Sequence, residues 1–176
     1  MKYELLFSGI GGQGIMSLGE IVCSAAIKAG YYVTFVPFYG SEKRGGRTMC
    51  NIVISDEMES PIISTAQIML IMDERSLEDY QHTVSEDGLL VINSSMVESE
   101  PVCKCSSIKK IPFYDLAKEA GTTKAANVVA LGYVAKLLPM IPYEYIVAEL
   151  DKFFAAKPKL IPTNREALKK GYEIVG

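Results

Sequence analysis

The chain has 176 residues, 49% of them apolar, and a formal charge of −3. That length suits one domain, 1–176, with a core of its own, and leaves no room for a separate substrate domain. The mildly acidic balance provides no global basic field, so nucleic acid and membrane surfaces are not expected as partners, and any anion site must be local.

In chain order, Tyr3 to Ser8 is a short apolar run that stops at glycines, and Ile15, Leu18, Val22, Ala25, Ala26 and Ala29 follow at helical spacing. This predicts strand, glycine loop, helix. Gly30 closes the helix and Tyr32 to Phe38 predicts a second strand, so the opening reads as a βαβ unit. After a glycine-rich loop, Gly40 to Gly46, a strand is expected at Thr48 to Ile54. The continuous apolar runs Ile68–Met72 and Leu89–Ile92 fit strands buried on both faces of a sheet, with a short helix between them at Ser76 to Thr83.

Glu98 to Lys110 reads as a polar surface excursion ending in a short strand at Ile111. Helical spacing then runs from Val128 to Leu138, and Pro142 is placed to start a helix through Phe154. Thr163 and Glu166 match a capping box for a last helix to Tyr172. The expected fold is α/β: a single three-layer Rossmann-like domain with a mostly parallel sheet and a helical C-terminal part.

Gly9-Ile10-Gly11-Gly12-Gln13-Gly14 lies between strand and helix, the context that gives a G-x-G-x-x-G pattern meaning. Backbone N–H groups there can approach an anion at the positive end of a helix. A tight turn with close helix–strand packing is the plainer alternative. An NAD site also wants a carboxylate at the end of the second strand, where Phe35 to Tyr39 supply none, and no Lys-Ser or Lys-Thr completes a Walker loop. What survives is phosphate recognition.

Gly40-Ser41-Glu42-Lys43-Arg44-Gly45-Gly46-Arg47 should emerge on the same sheet edge, bringing three cations to it. These two motifs in this order, with Lys124-Ala125-Ala126-Asn127, Leu131-Gly132, and the tail from Pro162 with Asn164 and Gly171-Tyr172, resemble the gamma subunit of pyruvate, 2-oxoisovalerate or 2-oxoglutarate:ferredoxin oxidoreductases over essentially the whole chain.

The resemblance implies a non-autonomous subunit of an oxidoreductase complex. There thiamine diphosphate, with magnesium, attacks a 2-oxoacid, iron–sulfur clusters carry electrons to ferredoxin, and coenzyme A takes the acyl group. It implies that alpha and beta thiamine-binding subunits and a ferredoxin-like delta subunit are the partners and carry those cofactors, while this chain helps bind coenzyme A. A homodimer is an alternative state of the isolated chain. Gly9, Gly11, Gly12, Gln13, Gly14, Glu42, Arg44, Gly45 and Gly46 are the matched site residues. Lys43 and Arg47 join them by position and charge. The small subunit of indolepyruvate:ferredoxin oxidoreductase shares both motifs, and a free-standing nucleotide-binding or regulatory module is the reading from another class.

No catalytic or metal-binding residue is expected within the chain. The one histidine, His82, lies in a polar stretch, and Asp73-Glu74 reads as a helix start as readily as a site pair. Cys23, Cys50, Cys103 and Cys105 lack the spacing of a zinc or iron–sulfur set and are expected as free thiols of a cytoplasmic protein, the first two in the core. The acidic Glu4 before a short apolar segment does not suit a signal peptide, and no apolar run reaches the roughly 18 residues that span a bilayer.

Overall fold

The computed structural model describes residues 1–42 and 44–175. Six strands form one sheet: β1 (Lys2–Ile10), β2 (Tyr32–Tyr39), β3 (Arg47–Ser55), β4 (Ala66–Ile71), β5 (Val84–Asn93) and β6 (Ser107–Ile111), in the spatial order β2-β3-β1-β4-β5-β6. Pairing from β1 through β4 and β5 to β6 is parallel; β3 alone runs the other way.

The expected βαβ opening is therefore modified. β1 and β2 point the same way, but β3 lies antiparallel between them, with Leu5 and Phe35 both opposite Ile52. The reason is chain length: parallel neighbours need a crossover of about a dozen residues or more, and the short Gly40–Gly46 connection can only turn back as a hairpin. The consequence drawn for the site survives, because the ends of β1 and β2 still share one edge.

The helices are α1 (Ile15–Lys28), α2 (Glu74–Tyr80), α3 (Phe113–Glu119), α4 (Ala126–Leu137), α5 (Tyr143–Phe153) and α6 (Ile161–Tyr172). Strand alternation sends Leu5, Phe7, Ile52, Ile54 and Leu70 into the main core, which α1 and the C-terminal helices cover with Leu18, Val22, Val129, Val134, Ile146 and Leu168. On the opposite face Leu6, Met69, Ile71, Leu90 and Ile92 pack with Leu77 of α2 and with Val97. The second helical layer is thus thin, one short helix and the excursion before β6.

Two local expectations are corrected. Thr163 does not cap α6: the helix begins earlier, at Ile161, with Pro162 in its first turn, so Thr163 already lies inside it. Cys103 and Cys105 are not set apart: their side chains meet, with the Cα atoms 5.5 Å apart, because extension of the chain puts residues i and i+2 on one side. Cys23 and Cys50 are free and buried, as expected. Among the described residues no helix is long and apolar enough to cross a membrane.

Candidate functional site

The first glycine loop links the end of β1 to α1. Gly14 is the N-cap of α1 at φ 71°, a left-handed conformation, and a Cβ there would stand 2.2 Å from Asn127 Nδ2. The Asn127 side chain of α4 donates to the Gly14 carbonyl at 3.3 Å. This gives the Lys124-to-Asn127 motif a structural role that sequence reading could not supply. No side chain caps α1 and no acidic residue occupies its first turn. The first N–H groups and the positive end of the helix dipole are consequently left for an anion.

Gln13 is turned inward and is only 8% exposed. Its Oε1 accepts from the Ile10 N–H at 2.9 Å, and its Nε2 donates to the Met72 carbonyl at 3.0 Å and the Tyr114 hydroxyl at 3.3 Å. The side chain holds the loop in shape from behind, and Gly9, whose Cβ would meet Gln13 Oε1 at 2.5 Å, makes room for it. Neither residue lines the cleft in front.

The second loop closes as a hairpin through the Gly40 N–H to the Arg47 carbonyl, 2.7 Å, and the Gly11 N–H donates to the Gly46 carbonyl at 2.8 Å. The two loops expected to face each other are thus bonded. Ion pairs tie the second loop to α2. Arg47 Nε lies 2.9 Å from Asp79 Oδ2, off the line of a good hydrogen bond, and Arg75 reaches Glu42 Oε1 at 3.3 Å. Glu42's own backbone N–H, and then the charge of Arg75, hold its carboxyl below the usual carboxylate range. Arg44 is exposed and makes no ion pair with another described residue. Lys43 lies outside the described residues.

Between the loops is a cleft of 660 Å³, within the range of about 300–1,000 Å³ common for small-molecule sites. Of the expected residues, Gly11, Gly12, Gly14, Glu42, Arg44, Gly45, Gly46 and Arg47 line it. Met16, Ser17, Tyr39, Gly40 and Thr48 also line it and were not singled out from sequence. The position of Tyr39 and Gly40 at the end of β2, directly before the charged loop, was the available signal. The arrangement offers backbone donors, a helix terminus and an exposed guanidinium, a set suited to phosphate. Asp73 caps α2, accepting from the Arg75 N–H at 3.2 Å and from the Ser76 hydroxyl, which accounts for the Asp73-Glu74 pair as a helix start. His82 is exposed.

An α/β domain with two mutually bonded glycine loops at the carboxyl edge of its sheet is, by geometry, a Rossmann-like module. The chain belongs to the pyruvate ferredoxin/flavodoxin oxidoreductase family, whose profile matches residues 4–174. It is 32% identical over 175 residues to ketoisovalerate oxidoreductase subunit VorA of Methanothermobacter thermautotrophicus, covering 98% of this chain but 36% of that one, so it spans about a third of the relative's length. It is 29% identical to 2-oxoglutarate synthase subunit KorC of Methanocaldococcus jannaschii, covering 99% of this chain and 94% of the other. Pyruvate synthase subunit PorC of Thermotoga maritima matches at 29% identity over 98% and 94% of the two chains.

The gamma subunit of a keto/oxoacid ferredoxin oxidoreductase from Geobacter sulfurreducens superposes with a TM-score of 0.81 at 28% identity, covering 97% and 96% of the two chains. The expected likeness to gamma-type chains and the expected α/β fold are both shown. A 2-oxoglutarate:ferredoxin oxidoreductase from Magnetococcus marinus, solved with 2-oxoglutarate, coenzyme A and succinyl-CoA bound, shares the fold at a TM-score of 0.87 and 24% identity, over 97% of this chain and 30% of that one.

Proposed function

We propose that the chain acts as the gamma-type subunit of a thiamine-diphosphate-dependent 2-oxoacid:ferredoxin oxidoreductase complex, which converts a 2-oxoacid to acyl-CoA and carbon dioxide and reduces ferredoxin. In this reading the chain holds phosphates of coenzyme A between its glycine loops and packs against thiamine-binding subunits. Magnesium diphosphate chemistry and iron–sulfur clusters belong to the partner chains.

The observation that carries the reading is the Gly11-to-Gly46 hydrogen bond, which joins an uncapped helix terminus to the loop bearing Arg44 across one cleft. Two features support coenzyme A as the occupant: the family, and the ligand present in the Magnetococcus enzyme of the same fold. Relatives named for ketoisovalerate, 2-oxoglutarate and pyruvate match at nearly equal identity. That pattern fits a chain supplying the coenzyme site common to all three and leaving the side chain of the 2-oxoacid to its partners.

The test is steady-state kinetics of the complex purified through a tag on this chain. Arg44→Ala should raise the KM for coenzyme A about tenfold, the scale of one charge-assisted phosphate contact, while the KM for the 2-oxoacid and kcat at saturating coenzyme stay near wild type. An unchanged dependence on coenzyme A would remove Arg44 from the site. The isolated chain should show no 2-oxoacid oxidation, and activity in it would overturn the subunit reading.

A further inference from the structure

We infer that Tyr39 is the base-stacking residue of the cleft: its ring receives the adenine of the ligand while Arg44 and the N-terminus of α1 receive phosphate. The inference rests on the coenzyme A reading and extends it to how the nucleotide end is told from the rest of the molecule.

Tyr39 is the last residue of β2 and is 69% exposed, the most exposed aromatic among the described residues, on the wall of the cleft that also holds Arg44. A tyrosine ring is costly to leave in water when a core is near, and its chain neighbours show why this one is left. Alternation along β2 puts Val33, Phe35 and Tyr39 on the face that α1 covers, and Val33 and Phe35 do pack against the core. Gly19 of α1 sits directly over Phe35, where a Cβ would stand 2.8 Å from the ring.

From that crossing point α1 continues only to Ile15, about 6 Å further at its rise per residue, whereas β2 continues to Tyr39, about 13 Å further. The strand therefore outruns the helix by roughly 7 Å. The ring of Tyr39 stands beyond the first turn of α1, outside both hydrophobic clusters, and lines the cleft.

The platform is held by main-chain bonds on both sides. Tyr39 pairs with Thr48 across the ladder, and the Gly40 N–H bond to the Arg47 carbonyl closes the hairpin immediately after it. A flat π face fixed beside phosphate donors selects a nucleotide with its base stacked, since every base offers a π face without needing a hydrogen-bond pattern. The pantetheine arm of coenzyme A has no such face. Tyr39 accordingly discriminates coenzyme A from its shortened analogues, while Arg44 serves any phosphate.

The test is calorimetric titration of the full chain, as wild type, Tyr39→Ala, Tyr39→Phe and Arg44→Ala, with coenzyme A, adenosine 3′,5′-bisphosphate and pantetheine 4′-phosphate. Tyr39→Ala should weaken both adenine ligands about tenfold and leave pantetheine 4′-phosphate within about twofold, and Tyr39→Phe should bind like wild type. Unchanged thermal melts would show that the variant is folded. Loss of all three ligands to the same degree, or no loss of any, overturns the assignment of Tyr39. Tyr39-dependent binding of adenosine 3′,5′-bisphosphate without binding of coenzyme A would overturn the coenzyme reading and support the stacking role. Arg44-dependent coenzyme binding indifferent to Tyr39 would do the reverse. Absence of binding by either adenine ligand overturns both.

Discussion

Gln13 and Arg47 show how far a residue's role can lie from the role its motif suggests. Both sit inside glycine motifs and both read from sequence as ligand contacts. Gln13 instead spends its amide on Ile10, Met72 and Tyr114, two of them distant in sequence, and Arg47 leans on Asp79. Apart from Ile10, these partners follow no local spacing rule, so they were not legible. Removing the Gln13 amide strands the part-buried Ile10 N–H and takes one of two donors from the Met72 carbonyl, which keeps Asn93, and a lost partner of this kind costs on the order of 1–3 kcal/mol. Gln13→Ala should therefore lower the unfolding free energy in urea by about 2 kcal/mol. A direct ligand contact would leave that stability unchanged and move only coenzyme affinity. For Arg47, the pairing with Asp79 is half-buried and poorly aligned, so Arg47→Ala should lower the melting temperature only modestly and should raise the KM for coenzyme A less than Arg44→Ala does.

Among the elements, α4 and α6 cross more closely than ordinary side chains allow. A Cβ on Gly132 would lie 2.1 Å from the Leu168 carbonyl oxygen, and one on Gly171 would lie 1.9 Å from the Val129 carbonyl oxygen. Each obstacle is helix backbone, so no rotamer change relieves it. Gly132→Ala and Gly171→Ala should each destabilise the chain by about 3 kcal/mol, the upper part of the range for overpacked cores, despite alanine's better helix propensity. A change under about 1 kcal/mol in urea unfolding would mean that the helices can separate freely. Both glycines stood within segments matched by resemblance, Leu131-Gly132 and Gly171-Tyr172, yet helical periodicity treats glycine only as a weak helix former. The contact that requires them is visible once two helices are placed together. The start of α6 was misread for a related reason: Thr163 and Glu166 satisfy the spacing of a capping box, but Pro162 had already set the helix one turn earlier.

For the molecule as a whole, the element sequence was readable because the strands are continuous apolar runs and α1 keeps one clean apolar stripe. The strand order was not, since nothing in β3's composition says that it inserts between β1 and β2; only the shortness of the Gly40–Gly46 connection hints at it. That insertion buries Cys50 against α1, where it neighbours Cys23, and burial pushes the Cys23 thiol up to about 12 and raises the Cys50 thiol as well. The ordinary thiol value is 9.0, so at alkaline pH the unfolded chain loses protons that the folded chain retains. The stability contributed is whole below about pH 9 and is lost as pH rises toward the folded values. Replacing both thiols, Cys23→Ala with Cys50→Ala, should make the decline in unfolding free energy between about pH 9 and pH 11 shallower than in wild type, and an equal slope would contradict their burial. A thiol reagent at neutral pH gives the complementary readout: Cys23 and Cys50 should stay unmodified in the native chain and react together as it unfolds, because the same β3–α1 packing shields both.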